Sequence, residues 1–237
     1  LDVDVNLLEN FRLFNEAAIL LMKRKFQEAI SVFNQLQVHQ ASFDDFLLPL
    51  YHQFKAYGYF CLGKHKEAII EYQCLDYQTK DQISCFNQHL CEGIVEAERK
   101  HYEEGINFFR KAKDVFPNKV EPYIYTAVTF VREINDLIRH QPYSHELEQK
   151  RQAAVLRAMD EMNSGNLIND ANSNLLYHRA ILCYYFRDFK RGLDDINRCI
   201  EKAEDNIPKY FFLRGLGYAC TRDPGKAISE FSICVSL

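Results

Sequence analysis

The sequence predicts an all-α fold, a solenoid of about six stacked helical hairpins. Two observations carry that expectation. Gly and Pro number only nine and six in 237 residues, about half their average share, so turn punctuation is scarce among abundant Leu, Ala, Glu, Gln and Lys. A short pattern of small and large apolar residues also recurs along most of the chain, and such recurrence is the sequence signature of repeat architectures.

Four segments share the pattern: Lys25–Ile30 with Phe33, His65–Ile69 with Tyr72, His101–Ile106 with Phe109, and Pro224–Ile228 with Phe231. Phe189–Leu193 with Ile196 is a variant. In each, a small residue (Ala29, Ala68, Gly105, Gly192, Ala227) precedes a large apolar one by four positions. Twelve positions upstream lies another small residue: Ala17, Ala56, Gly93, Ala180 or Gly215. Positions four apart stand one above the other on a helix face. A small residue on each of two antiparallel helices lets their axes approach closely. The aromatic four positions later is then expected to fill the gap between one hairpin and the next. One hairpin cannot bury its apolar face alone, so neighbours must stack.

With these residues the chain resembles the tetratricopeptide repeat family, whose pattern places small and aromatic residues at matching offsets. The resemblance implies a right-handed superhelix. Repeats are expected at about 10–40 (Ala17, Leu20, Phe26, Ala29, Phe33), 49–81 (Ala56, Tyr59, Gly63, Ala68, Tyr72), 86–119 (Gly93, Tyr102, Gly105, Phe109, Pro117), 173–206 (Ala180, Phe189, Gly192, Cys199) and 208–237 (Phe211, Gly215, Ala227, Phe231). Intervals between the small residues of the second helices are 39, 37, 87 and 35, against a family period of about 34. The long interval is expected to hold a degenerate repeat over 120–163, with helices from Val120 to Arg139 and from Ser144 to Met162. Ser144 suits an N-cap after Pro142. The polar stretch 163–173 reads as the longest loop. The whole reads as a single solenoid, expected to be a fragment of a longer chain, because it starts without Met and ends directly after a second helix.

Net charge is −4 with both signs mixed, which argues against nucleic acid as a partner, since phosphate neutralisation needs a basic stripe. The clusters 22–25 and 149–151 read as solvated helix surface. No apolar run approaches the ~18 residues of a membrane span, so no membrane insertion is expected. Eight cysteines stand at 61, 74, 85, 91, 183, 199, 220 and 234 without a C-x-x-C pair. They read as free thiols in a reducing cytoplasm.

Catalytic constellations are missing. His145-Glu146-Leu147-Glu148-Gln149 starts like a zinc-protease motif and lacks its second histidine. Gly215-Leu216-Gly217 lies within an expected helix, where packing explains glycine better than a dinucleotide does. Cys61 with His65, and His89 with Cys91, fall short of the four ligands of a structural zinc site. Cys85 and Cys183 have no base at a fixed offset. No catalytic residue, metal or cofactor is expected.

The family resemblance implies a binding scaffold whose first helices line a concave groove. Carrying its groove positions over gives Phe14, Gln53, Tyr57, Phe60, Leu90, Ile94, Tyr177, Ile181, Tyr184, Phe212 and Leu216. One subclass grips the C-terminal carboxylate of chaperones with Lys and Asn; here those positions hold Phe14 and Ala18, Gln53 and Tyr57, Leu90 and Ile94. The clamp is absent, because a carboxylate needs charged donors to replace its hydration. An aromatic and aliphatic groove suits an apolar peptide or helix of a partner protein. The alternative is a structural subunit buried permanently in a large assembly, such as transport or ciliary machinery.

Overall fold

A computed structural model describes residues 5–36, 47–75, 80–203 and 205–237, and all their regular elements are helices. The chain divides into two compact units, 1–117 and 118–237. The first unit holds hairpins α1 (Val5–Met22) with α2 (Phe26–Phe33), α3 (Leu47–Cys61) with α4 (His65–Gln73), and α5 (Gln82–Glu98) with α6 (Tyr102–Val115). The second holds α7 (Glu121–His140) with α8 (His145–Ile168), α9 (Ser173–Tyr185) with α10 (Phe189–Lys202), and α11 (Pro208–Cys220) with α12 (Pro224–Ser236). Within each unit, the second helix of one hairpin packs on the first helix of the next. First helices are also neighbours: α1 with α3 and α3 with α5, α7 with α9 and α9 with α11. The expected end of repeat one, and residues 76–79 of repeat two, lie outside the described residues.

The small residues lie where the sequence pattern puts them. Ala17, Ala29, Ala56, Ala68 and Ala180 are fully buried, and Gly93, Gly105, Gly192 and Gly215 are buried too. A Cβ on Gly105 would stand 2.9 Å from the carbonyl oxygen of Gly93 and 3.2 Å from the backbone nitrogen of Ala97. The two backbones meet there with no room for a methyl group. The aromatics depart from expectation in one respect: they close first over the small residue of their own hairpin. A Cβ on Gly93 would overlap the Phe109 ring, and one on Gly215 would lie 2.6 Å from the ring of Phe231. Phe33 reaches both ways, edge-on to Phe14 of α1 at 6.1 Å and to Tyr51 of α3 at 5.8 Å. A flat ring on a second helix therefore seals its own hairpin while presenting an edge to the next.

Five of the hairpins turn in the same way. Arg24, Gly63, Lys100, Arg187 and Arg222 have φ of 59°, 69°, 69°, 59° and 63°, each five residues before the second helix's small residue. The N–H of the following residue (Lys25, Lys64, His101, Asp188, Asp223) donates to the carbonyl five residues back at 2.9 Å in every case. This is the Schellman termination, which satisfies carbonyls that a helix end would otherwise leave unpaired.

The α7–α8 hairpin is the degenerate one and turns differently. Gln141 and Ser144 are extended on either side of the Pro142–Tyr143 pair. The expected cap is present, with Ser144 Oγ accepting from the N–H of Leu147 at 3.1 Å. The expected loop over 163–173 is not. Helix α8 continues to Ile168, and Ser164 bonds back to the carbonyl of Asp160 at 2.9 Å instead of breaking the helix. Gly165, which reads as a breaker, marks close approach to α9: a Cβ there would stand 3.0 Å from Leu175. Tertiary packing overrides local propensity here.

A second in-register feature escaped the sequence reading. Lys55–Glu71, Arg179–Asp195 and Arg214–Glu230 are ion pairs across their hairpins at 2.9, 2.6 and 2.9 Å. Each cation directly precedes the first helix's small residue, and each carboxylate follows the second helix's small residue by three. The most enclosed pair is Arg179–Asp195, with side chains 7% and 5% exposed. Arg179 donates from Nε at 2.8 Å and from Nη2 at 2.6 Å to the two carboxylate oxygens. Around Glu71, burial acts to push the carboxyl up. Hydrogen bonds from His52 and Lys55 outweigh it and hold the group below its ordinary range.

Three stability outcomes are expected from unfolding in urea followed by far-ultraviolet circular dichroism. Gly105→Ala presses a methyl against backbone that cannot yield and should cost about 1–3 kcal/mol. Gly63→Ala has open space around it, so only the left-handed backbone penalises it, by about 1 kcal/mol. Arg179→Met strands the Asp195 carboxylate in the core and should cost about 3–5 kcal/mol, most of it recovered by adding Asp195→Leu.

Candidate functional site

In the first unit, α1, α3 and α5 stand side by side and enclose a groove of about 670 Å³. Ala18, Leu21 and Met22 of α1 and Phe26 of α2 form one wall. Gln53, Phe54, Tyr57 and Cys61 of α3 run along the middle, and Ile83, Ser84 and Asn87 of α5 form the opposite wall. The start of α5 is fixed by Asp81, whose carboxylate accepts from the Ser84 N–H at 2.7 Å and from Gln53 Nε2 at 2.8 Å. One side chain thereby caps α5 and ties it to α3, holding Ile83 at the rim, 58% exposed. Tyr57 is also open, 42% exposed, with its ring edge-on to Phe26 at 6.4 Å. Tyr72 of α4 closes the floor, its hydroxyl buried beside Asn87 but outside hydrogen-bonding geometry. Burial pushes that hydroxyl up, so it stays protonated.

The second unit has a smaller recess, about 160 Å³, between α7 and α9. Val128, Val131 and Arg132 face Ile181, Leu182 and Tyr185 across it, with His178 beside them. Burial, with Lys209 and Arg132 nearby, lowers His178 to about 4, so the imidazole is neutral at neutral pH. The recess has room for one large side chain.

The expected groove residues divide accordingly. Gln53 and Tyr57 meet in the first unit's groove, and Ile181 lines the second unit's recess. Phe212 and Leu216 are exposed on α11, 49% and 38%, with Phe212 against Phe231 at 5.7 Å. Phe14, Leu90 and Ile94 are corrections. Phe14 is buried, stacked on Phe54 at 5.6 Å. Leu90 and Ile94 are buried in α5, which packs against α3, α4 and α6. Phe60 is half-buried against Ala68 and Tyr72 and faces His65, with ring centroids 6.2 Å apart. Tyr177 packs on Tyr210 at 5.3 Å with the Lys209 ammonium over its ring. Tyr184 is a wedge: its ring and hydroxyl fill the space that Cβ atoms on Gly192 and Gly217 would need. The sequence reading missed Arg24, Phe26, Phe54 and Ile83. Arg24 sits in a turn that looked like ordinary solvated surface, and Ile83 precedes the expected start of its repeat.

Nothing at these positions assembles chemistry. Among the described residues, no three His, Cys, Asp or Glu side chains gather where a metal could bind. His65 Nδ1 lies 3.7 Å from Cys91 Sγ, where burial lowers the imidazole and pushes the thiol up to about 12. Cys183 is likewise pushed up by burial, to about 11, which leaves it a poor nucleophile. No helix among the described residues is long and apolar enough to cross a membrane.

No protein-family model matches the sequence, and no curated protein matches it. Solved structures do. TTC0263, described as a thermophilic TPR protein in Thermus thermophilus, matches with a TM-score of 0.60 at 8% identity, over 79% of this chain and 90% of that one. MamA (41-end) of Desulfovibrio magneticus RS-1 matches with a TM-score of 0.53 at 12% identity, over 80% of this chain and 94% of that one. Identity this low speaks for the fold alone. That fold is the all-α helical repeat of the tetratricopeptide type.

Proposed function

We propose that the chain is a protein-interaction scaffold, and that the groove on α1, α3 and α5 receives a segment of a partner protein. The observation that carries this reading is the groove itself. It is open, predominantly apolar, and rimmed by Tyr57 and Ile83, large apolar side chains left substantially exposed. Apolar concavities with a few placed polar groups are the usual form of a binding site. The fold's likeness to TPR proteins supports the same reading. Reading the chain as a single repeat array rests on the small-residue pattern, which recurs in the sequence of both units. A cytoplasmic setting suits the eight free thiols, and a non-enzymatic role suits the absence of any assembled catalytic group among the described residues.

The groove reading predicts that Tyr57→Ser with Ile83→Ser removes capture of the partner while leaving helicity unchanged, since both side chains are substantially exposed. Anchors seated in a groove lose about 2 kcal/mol each on truncation, roughly thirtyfold in affinity. Affinity capture from native extract, compared between the parent and the double variant by quantitative mass spectrometry, checks it. An unchanged set of captured proteins would place the contact elsewhere.

A further inference from the structure

The groove of the first unit is uneven in charge. Of the described side chains lining it, Arg24 alone is charged, and it stands exposed at the end where the α1–α2 and α3–α4 turns lie. Among the described residues no carboxylate pairs with its guanidinium, whereas the neighbouring Lys25 is held by Glu28 at 3.1 Å. Lys23 and Lys64, at the same two hairpin tips, are exposed. Arg24 also makes itself felt inside the groove. Pairing with the Cys61 thiol pushes the Tyr57 hydroxyl up, and burial pushes the Cys61 thiol up; in both cases the Arg24 guanidinium acts in the opposite direction. At the α5 end the situation is reversed. Asp81 is the acidic group there, and its carboxylate is already occupied by Ser84 and Gln53. One end of the groove thus offers an exposed cation with no carboxylate partner among the described residues, whereas at the other Asp81 is already bonded and Lys80 beside it donates to Gln88 at 2.7 Å.

We propose that the groove takes a segment of a partner protein in which a bulky apolar side chain lies within a few residues of an Asp or Glu. The apolar side chain seats among Leu21, Tyr57 and Ile83, and the carboxylate pairs with Arg24. The segment lies with its acidic end toward the hairpin tips. This rests on the groove being a binding site and adds the chemistry of what it binds. An arginine fork and a carboxylate match two donors to two acceptors, here at the solvent-exposed rim of the groove. A cation at one end sets the direction in which a segment enters, which apolar walls alone cannot do.

The test begins with a phage-displayed library of random dodecapeptides selected on the whole 237-residue chain. The selected peptides are then synthesised with a fluorescent label and titrated by anisotropy. Enriched peptides should carry Asp or Glu within three residues of Leu, Ile, Met or Phe. Changing that acid to its amide should weaken binding about two- to fivefold, the worth of an ion pair at an exposed cation. Arg24→Asn keeps a left-handed turn, because Asn accepts that backbone, and should erase the difference between acid and amide peptides. Arg24→Lys should retain much of it. Tyr57→Ser should weaken both peptides alike. Enriched peptides without a carboxylate, or an acid-to-amide ratio that Arg24→Asn leaves intact, would overturn the charge assignment; the groove reading survives that result if Tyr57→Ser still weakens binding. No binders, or binders indifferent to both Arg24 and Tyr57, would overturn both readings.

Discussion

Everything in this fold depends on how closely two antiparallel helices can approach at one point. At Gly93 and Gly105 the backbones meet with no space for a Cβ. That contact draws the second helix in until its aromatic, Phe109, covers Gly93 of the first helix. The remaining edge of the hairpin is then regular enough for another to pack against it. Dispersion between such surfaces is small per atom and large in sum, and it falls steeply with any gap. A methyl group at the crossing therefore disturbs more than its own volume suggests.

The ion pairs at Lys55–Glu71, Arg179–Asp195 and Arg214–Glu230 flank this crossing at fixed offsets. Their contribution is better described as alignment than as stability. A buried charge pair gains little net free energy over an apolar pair of the same shape. It does penalise any sliding of one helix along the other, because a shift of one turn leaves a charge without its partner. Small residues set how near the helices come, and charges set how far along they lie. The first and third hairpins lack the charge pair, having Val32 and Phe108 at the carboxylate position, and rely on ring contacts such as Phe14–Phe33.

The fold was largely legible because its determinants recur. Ala17 or Gly105 alone would say nothing, but small residues twelve apart in five segments fix helix, partner helix and register together. The stretch 163–173 misled because its polarity reads as loop, whereas in α8 Gly165 accommodates Leu175 and Ser164 bonds within the helix. The site was legible in part. Gln53 and Tyr57 fell where repeat position placed them. Leu90 and Ile94 did not, because repeat position specifies a direction around one helix but not how fully that face is covered in a given hairpin. Tyr184 went astray for another reason: its cavity is made by glycines on two other helices, Gly192 and Gly217, and a missing side chain elsewhere leaves no mark beside the tyrosine.

The left-handed turns carry a further consequence. Four of the five are occupied by Arg or Lys, and only Gly63 is the residue that this backbone prefers. Each of those cations stands just beyond the carboxyl end of a first helix, where the aligned peptide dipoles leave a partial negative charge. A cation there is worth about 0.3–1 kcal/mol at low ionic strength, against a steric penalty of about 1–2 kcal/mol for the left-handed conformation in an L residue. The turns are thus in part electrostatically compensated. Counterions weaken that compensation while leaving the steric penalty untouched, so the ionic strength of the surroundings acts on the hairpin tips before it reaches the apolar interior.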